Sequence, residues 1–318
     1  MPWLNVFHVP RSQPSVRVRR TIVLIAGILM VVVAHGYETD PYTNRHLDIS
    51  DSTLVLDEQV NEALDDLAAS WDEGENDWRF IMALYRKLGG LHWVDKLERW
   101  AIKSDLVAKL PNSRKMSIYH GLPLYATRVA GLFGFGPTIK VNGAFIGTDK
   151  LGHFFSQGRK FYGRYLRKGD ESRAARRSII TEKYLFGQLM TGVYSNADLV
   201  ANYEGYLFYR SLFHDGIVAD KPAIFRWEDG KPVRQRAFMW SDHVNAFWDE
   251  ALNANHYDAW LLPHIHKRLI ALCDQYQQNP SLYQTDDAEA LFAKYRHVGV
   301  VDTSELHAGT FFARNCSG

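Results

Sequence analysis

One short apolar segment divides this chain and limits how the rest can fold. Thr21 to Ala34 is apolar over about 14 residues, whereas a bilayer-spanning helix needs about 20. Residues 37–318 contain no apolar run of 20 residues, so most of the chain must bury its hydrophobic groups against itself. Arg11, Arg17, Arg19 and Arg20 precede the segment, and Ala34-His35-Gly36 comes after it with small residues at a spacing of two. This order of basic region, apolar region and small residues is that of a secretory signal, with cleavage after Gly36. A retained N-terminal anchor built on residues 21–34 is the alternative. Residues 1–36 are therefore read as signal peptide or anchor, and residues 37–318 as a single extracytoplasmic domain, periplasmic or otherwise in the cell envelope.

The exported part has the composition of a well-filled core, with 46% hydrophobic and 23% charged residues overall. Lys+Arg 37 against Asp+Glu 36 leaves almost no net charge, so no global field attracts nucleic acid, and no nucleic-acid partner is expected. Nine Trp and sixteen Tyr suit a large core or a surface near lipid or glycan. Cys273 and Cys316 are the two cysteines. Export permits a disulfide between them, and two separate thiols are equally open.

Helical periodicity runs from Leu54 to Trp71, then through Phe80 to Leu88, then from about Trp93 to Leu106. Residues 37–53 read as an extended polar lead, and 115–133 as a more apolar segment. Asn142-Gly143 between short apolar stretches signals a tight hairpin, and Asp229-Gly230 signals a second. Helices are expected at about 149–168, 171–192 and 196–213, with three more near 241–254, 256–278 and 286–296. The fold class is mainly α: a multi-helix globular domain with two small β-hairpins.

Two polar stretches carry the chemistry. In Gly147-Thr-Asp149-Lys150-Leu-Gly152-His153-Phe-Phe-Ser-Gln157, helical spacing puts Asp149, His153 and Gln157 on one face. The residues between them are apolar or glycine, so this stripe is expected to point inward. A carboxylate one turn from an imidazole serves a general base, a metal site or a structural lock. In Tyr194-Ser195-Asn196-Ala-Asp198-Leu-Val-Ala201-Asn202-Tyr-Glu204-Gly205, Asp198 and Asn202 share a face with Tyr194. Ala201, Gly205 and Gly152 are small enough to let helices approach, which would gather Asp149, His153, Asp198 and Asn202 into one cluster. The plainer reading is helix capping, since Ser195 with Asp198 three residues later forms a capping box. No HExxH or paired-His spacing is present, and no metal or cofactor is expected.

Asp149-Lys150-x-x-His153-Phe154 resembles the motif that opens VanZ-like proteins and YfiM-like envelope lipoproteins. Asp198-x-x-x-Asn202-x-x-Gly205 is similar to a VanZ-like helix. The likeness covers residues 147–209. VanZ-like proteins are multi-pass in the membrane and this chain is not, so the resemblance implies a shared helical core and transfers no reaction.

These observations converge on an envelope protein with an internal Asp/His/Asn pocket that binds an envelope ligand or acts as a scaffold. An envelope lipid or a cell-wall glycan is the expected partner; Arg173, Arg176 and Arg177 read first as a solvated helix face, with peripheral contact to anionic headgroups as the alternative. Lys150, Gln157, Tyr194 and Glu204 are candidate ligand contacts. The alternative is a hydrolase or transferase acting on an envelope lipid or glycan. There His153 would be the general base, Asp149 its orienting partner, and Asp198 with Asn202 the groups that position substrate. A third reading makes the cluster a buried network that selects one packing.

Overall fold

A computed structural model of the chain describes residues 38–90, 94–113, 115–122, 135–180 and 192–316. The segment read as signal peptide or anchor (residues 1–36) lies outside these residues, as do 123–134 and 181–191, which end two of the expected elements. Among the described residues no helix is long and apolar enough to cross a membrane.

Helix α1 (Thr53–Ala69) forms because Leu56, Val60, Leu64 and Leu67 recur at helical spacing and are all buried. Helix α2 (Asp77–Leu88) starts where the Asn76 side chain accepts a hydrogen bond from the Arg79 amide. It buries Phe80, Ile81, Leu84, Tyr85 and Leu88 against α1 and the core. Helix α3 (Lys96–Lys103) is shorter than the expected 93–106.

Both hairpins form at their turn signals. Strands β3 (Thr138–Val141) and β4 (Ala144–Gly147) flank Asn142 and Gly143, both at positive φ, and β4 leads straight into the polar stripe. Strands β6 (Phe225–Glu228) and β7 (Lys231–Arg234) flank Asp229 and Gly230, again both at positive φ. Two minimal pairs complete the strands: β1 (Glu38–Thr39) runs parallel to β2 (Phe135–Gly136), and β5 (Val193–Tyr194) antiparallel to β8 (His256–Tyr257).

The centre of the molecule is α7 (Asn196–Ser211), buried along most of its length. It packs on a segment that is helical from Asp149 to Lys168 but not uniform: α4 (Asp149–Gly152), a π-helical turn (His153–Gln157), then α5 (Gly158–Lys168). Helix α6 (Glu171–Ile180) comes next. The approach is close because two glycines permit it. A Cβ on Gly205 would sit 2.0 Å from the Phe154 carbonyl oxygen, and one on Gly158 would sit 2.6 Å from the Gly205 Cα. Gly152, expected to serve the same contact, instead makes room for the Glu98 carboxylate, 2.6 Å from where its Cβ would be.

The large hydrophobic cluster surrounds this helix pair. A second cluster joins α8 (Leu262–Ile270) and α11 (Ala308–Asn315) to Tyr42 and Ile118. Between these last two helices lie α9 (Cys273–Gln278) and α10 (Ala288–Tyr295). Cys273 and Cys316 form a disulfide that ties the C-terminal end to α9.

Two expectations fail for one reason. Residues 241–254 are not a helix but two 3₁₀ turns, Trp240–Asp242 and Ala246–Trp248, followed by tight turns. Residues 39–45 are not an extended polar lead but a buried turn. In both, short polar side chains take backbone groups that a regular element would use. Asn245 and Asp249 accept from the Phe247 and Ala251 amides, and Asn253 donates to the Phe247 carbonyl. Asp40 accepts from the amides of Tyr42, Thr43 and Ile118. The two segments are joined by a buried ion pair, Arg45 to Asp249 at 2.6 Å.

Candidate functional site

Lys150 is the hub of the site. Its side chain is 1% exposed, and its ammonium lies 2.7 Å from Asp149 Oδ2, 2.7 Å from Asp198 Oδ1 and 2.6 Å from Glu250 Oε1. An ammonium is buried at this depth only when it is paired on several sides. Burial opposes its charge, but Asp149, Asp198 and Glu250 outweigh that and hold its pKa well above the ordinary lysine value. Glu250 is braced by Asn255, which donates to Oε2 at 2.9 Å, and by Ser195, which donates to Oε1 at 3.2 Å.

His153 stands beside this hub. Its Nδ1 lies 3.0 Å from Asn202 Oδ1, and its Nε2 lies 3.4 Å from Asp198 Oδ2. An amide oxygen only accepts, so Nδ1 carries a proton, and Nε2 faces a carboxylate oxygen. Asp198 thus spends one oxygen on Lys150 and turns the other toward His153. Burial pushes its pKa up, but His153 and Lys150 outweigh burial and hold it below the usual carboxylate value. Glu250 goes the other way: burial raises it, and the charges of Asp149 and Asp198 add to what Lys150 does not offset.

Two more carboxylates close the inner side, at the start of α3. Asp95, 5% exposed, accepts from Ser156 Oγ at 2.6 Å, and burial pushes its pKa up to about 7 against the opposing pull of Ser156 and nearby cations. Glu98 is raised by burial and by the charges of Asp149 and Asp95. Among the described residues, carboxylates therefore outnumber ammonium groups around Lys150. Asp149 and Asp198 are the outermost of these carboxylates, with side chains 15% and 18% exposed.

Asp149, His153, Asp198 and Asn202 thus come together, although with roles other than those expected. Asn202, rather than Asp149, orients the imidazole, and Asp149 is spent on Lys150. The π turn explains part of this, because its wider register carries residues after His153 off the expected stripe. Gln157 is buried but takes no part in the Lys150 network. Tyr194 donates to the Gly299 carbonyl at 3.0 Å. Glu204 faces another side of α7, in a separate network with His243 at 3.2 Å, Lys294 at 2.8 Å and Tyr295 at 2.6 Å. Ser195 does cap α7, donating to Glu250 while accepting from the Asp198 amide at 3.2 Å. The capping and site readings therefore coexist in the same residues.

Sequence reasoning misses Glu250, Asp95 and Glu98. Asp249-Glu250 between Trp248 and Asn255 is the available signal, hidden inside an expected helix. Asp149, His153 and Asp198 each offer a ligand atom within 4.8 Å of the others, so this triad is the part of the site able to hold a metal ion.

Comparison with family models, with curated proteins and with solved structures finds no match for this chain.

Proposed function

We propose that this chain is an exported envelope protein whose Asp149/Lys150/His153/Asp198 site binds an envelope ligand. One observation carries the reading: three carboxylates surround a single buried ammonium, with two further buried carboxylates behind them. A charged cluster that only locked the fold would be cheaper if balanced or replaced by apolar packing. An acidic excess with two partly exposed members suits a ligand bearing positive charge. The ligand enters from the side of Asp149 and Asp198.

The alternative with His153 as general base has less support. A base needs a free nitrogen directed at substrate, and both ring nitrogens here face protein groups, Asn202 and Asp198. Membrane contact is a separate part of the proposal. Arg164, Arg167, Lys168, Arg173, Arg176 and Arg177 line a cavity of about 760 Å³ between α5 and α6, with exposed Leu166 and Ile180 nearby. Such a surface suits an anionic bilayer face.

The test is Asp198→Asn, expressed from the native signal in a deletion strain under envelope stress. The expected result is a protein that is folded, with a lowered melting temperature, and that fails to complement. A variant that complements fully overturns the proposal. So does one that unfolds, because the cluster is then structural.

A further inference from the structure

We infer that the ligand held by Asp149, His153 and Asp198 is a divalent transition-metal ion of the zinc type. The inference deepens the binding reading above and rests on it. Its geometric basis is the contact between His153 Nε2 and Asp198 Oδ2. With Nδ1 facing Asn202 Oδ1 at 3.0 Å, Nε2 and the Asp198 carboxylate oxygen face each other at 3.4 Å. A proton on Nε2 or a metal ion between the two atoms satisfies this contact, and only the metal ion also uses the carboxylate of Asp149 beside them. Metal bonds of about 2.1 Å at a tetrahedral angle place adjacent ligand atoms about 3.4 Å apart. The third donor, Asp149, lies within 4.8 Å of both.

The surroundings are those of a metal ligand set. A ligating histidine characteristically donates its other N–H to an oxygen of the protein, which fixes its tautomer, and Asn202 Oδ1 is placed to receive it. Lys150 binds Asp149 Oδ2 and Asp198 Oδ1, orienting both carboxylates without occupying Asp198 Oδ2. The uncompensated negative charge of Asp149, Asp198 and Glu250 around one ammonium matches a dication. One imidazole and two carboxylates select a borderline ion such as zinc over calcium, which prefers six or more oxygen ligands. Three protein ligands leave a fourth position. The partial exposure of Asp149 and Asp198 places it toward solvent, where an oxygen of a lipid headgroup or a glycan can bind.

The test is calorimetric titration of the chelator-stripped full chain with zinc chloride, with calcium chloride as control, followed by the visible spectrum of the cobalt-loaded protein. The expected result is one zinc per chain and no calcium, with a cobalt spectrum of tetrahedral intensity. Zinc affinity should fall at least 100-fold in His153→Ala and in Asp198→Asn, and about 10- to 100-fold in Asn202→Leu. Circular dichroism confirms that each variant is folded. If His153→Ala unfolds, the wild-type cobalt spectrum and Asn202→Leu carry the decision. Substoichiometric zinc, or equal affinity in wild type and folded Asp198→Asn, overturns the inference. If zinc fails to bind while Asp198→Asn still fails to complement, the metal is wrong and the binding site stands. If both fail, both readings fall.

Discussion

Replacing Lys150 by methionine removes the one ammonium that lies 2.6–2.7 Å from three carboxylates and leaves a side chain of similar length. Breaking a buried ion cluster by removing one partner costs about 3–5 kcal/mol, because the remaining charge is stranded. The cost has a definite pH dependence. Without Lys150 the pKa values of Asp198 and Glu250 rise, and Glu250 is already raised by burial and by its acidic neighbours. A carboxyl raised in the folded state binds more protons folded than unfolded, so its contribution falls as pH rises through its folded pKa. Lys150→Met is therefore nearly tolerated at pH 5 and heavily destabilised at pH 8. The assay is guanidinium denaturation of wild type and variant at both values, in chelator so that no cation substitutes for the ammonium. A loss below about 1 kcal/mol at pH 8, or an equal loss at both values, would refute the view of Lys150 as a buried counter-ion.

Asp95 titrates near 7, so its ionisation destabilises the native state between about pH 4 and 7, by up to about 4 kcal/mol at 1.36 kcal/mol per unit. Asp95→Asn should thus be more stable than wild type at pH 8 and show a flatter profile by chemical denaturation. Gly205→Ala places a methyl 2.0 Å from the Phe154 carbonyl oxygen. It should cost about 3 kcal/mol, measurable in the same assay, and should weaken zinc binding by separating His153 from Asp198. Removing the Cys273–Cys316 bridge, 43 residues apart, should cost about 4 kcal/mol by loop entropy, and limited proteolysis should show C-terminal opening. On the proposed export and cleavage after Gly36, Edman sequencing of envelope-fractionated protein should begin at Tyr37, and a start at Met1 would contradict cleavage.

The site is half legible in the sequence. Asp149-x-x-x-His153 and Asp198-x-x-x-Asn202 each announce a helix face, and Gly205 announces the close approach that joins them. Glu250 is legible in neither way. It reaches Lys150 from a run of 3₁₀ and tight turns, held there by Asn255 and Ser195, and such a run has no period to read. The π turn at His153–Gln157 has no compositional signature, which is why regular helical spacing puts Gln157 on the wrong stripe. Lys150 illustrates a different limit. Its type suggests a ligand contact, but its burial among three carboxylates depends on partners 48 and 100 residues away. The hairpins are the most legible elements, because Asn142-Gly143 and Asp229-Gly230 determine their own turn geometry.

The central claim is that Asn202 holds His153 with its proton on Nδ1, leaving Nε2 to face Asp198. Imidazole ¹⁵N–¹³C correlation spectra of labelled protein, in chelator and then with zinc, read this directly. The account predicts a protonated Nδ1 in both states and an Nε2 whose resonance moves to that of a metal-bound nitrogen when zinc is added. A proton on Nε2 with none on Nδ1, unchanged by zinc, would contradict it and reduce the site to a simple His153–Asp198 hydrogen bond.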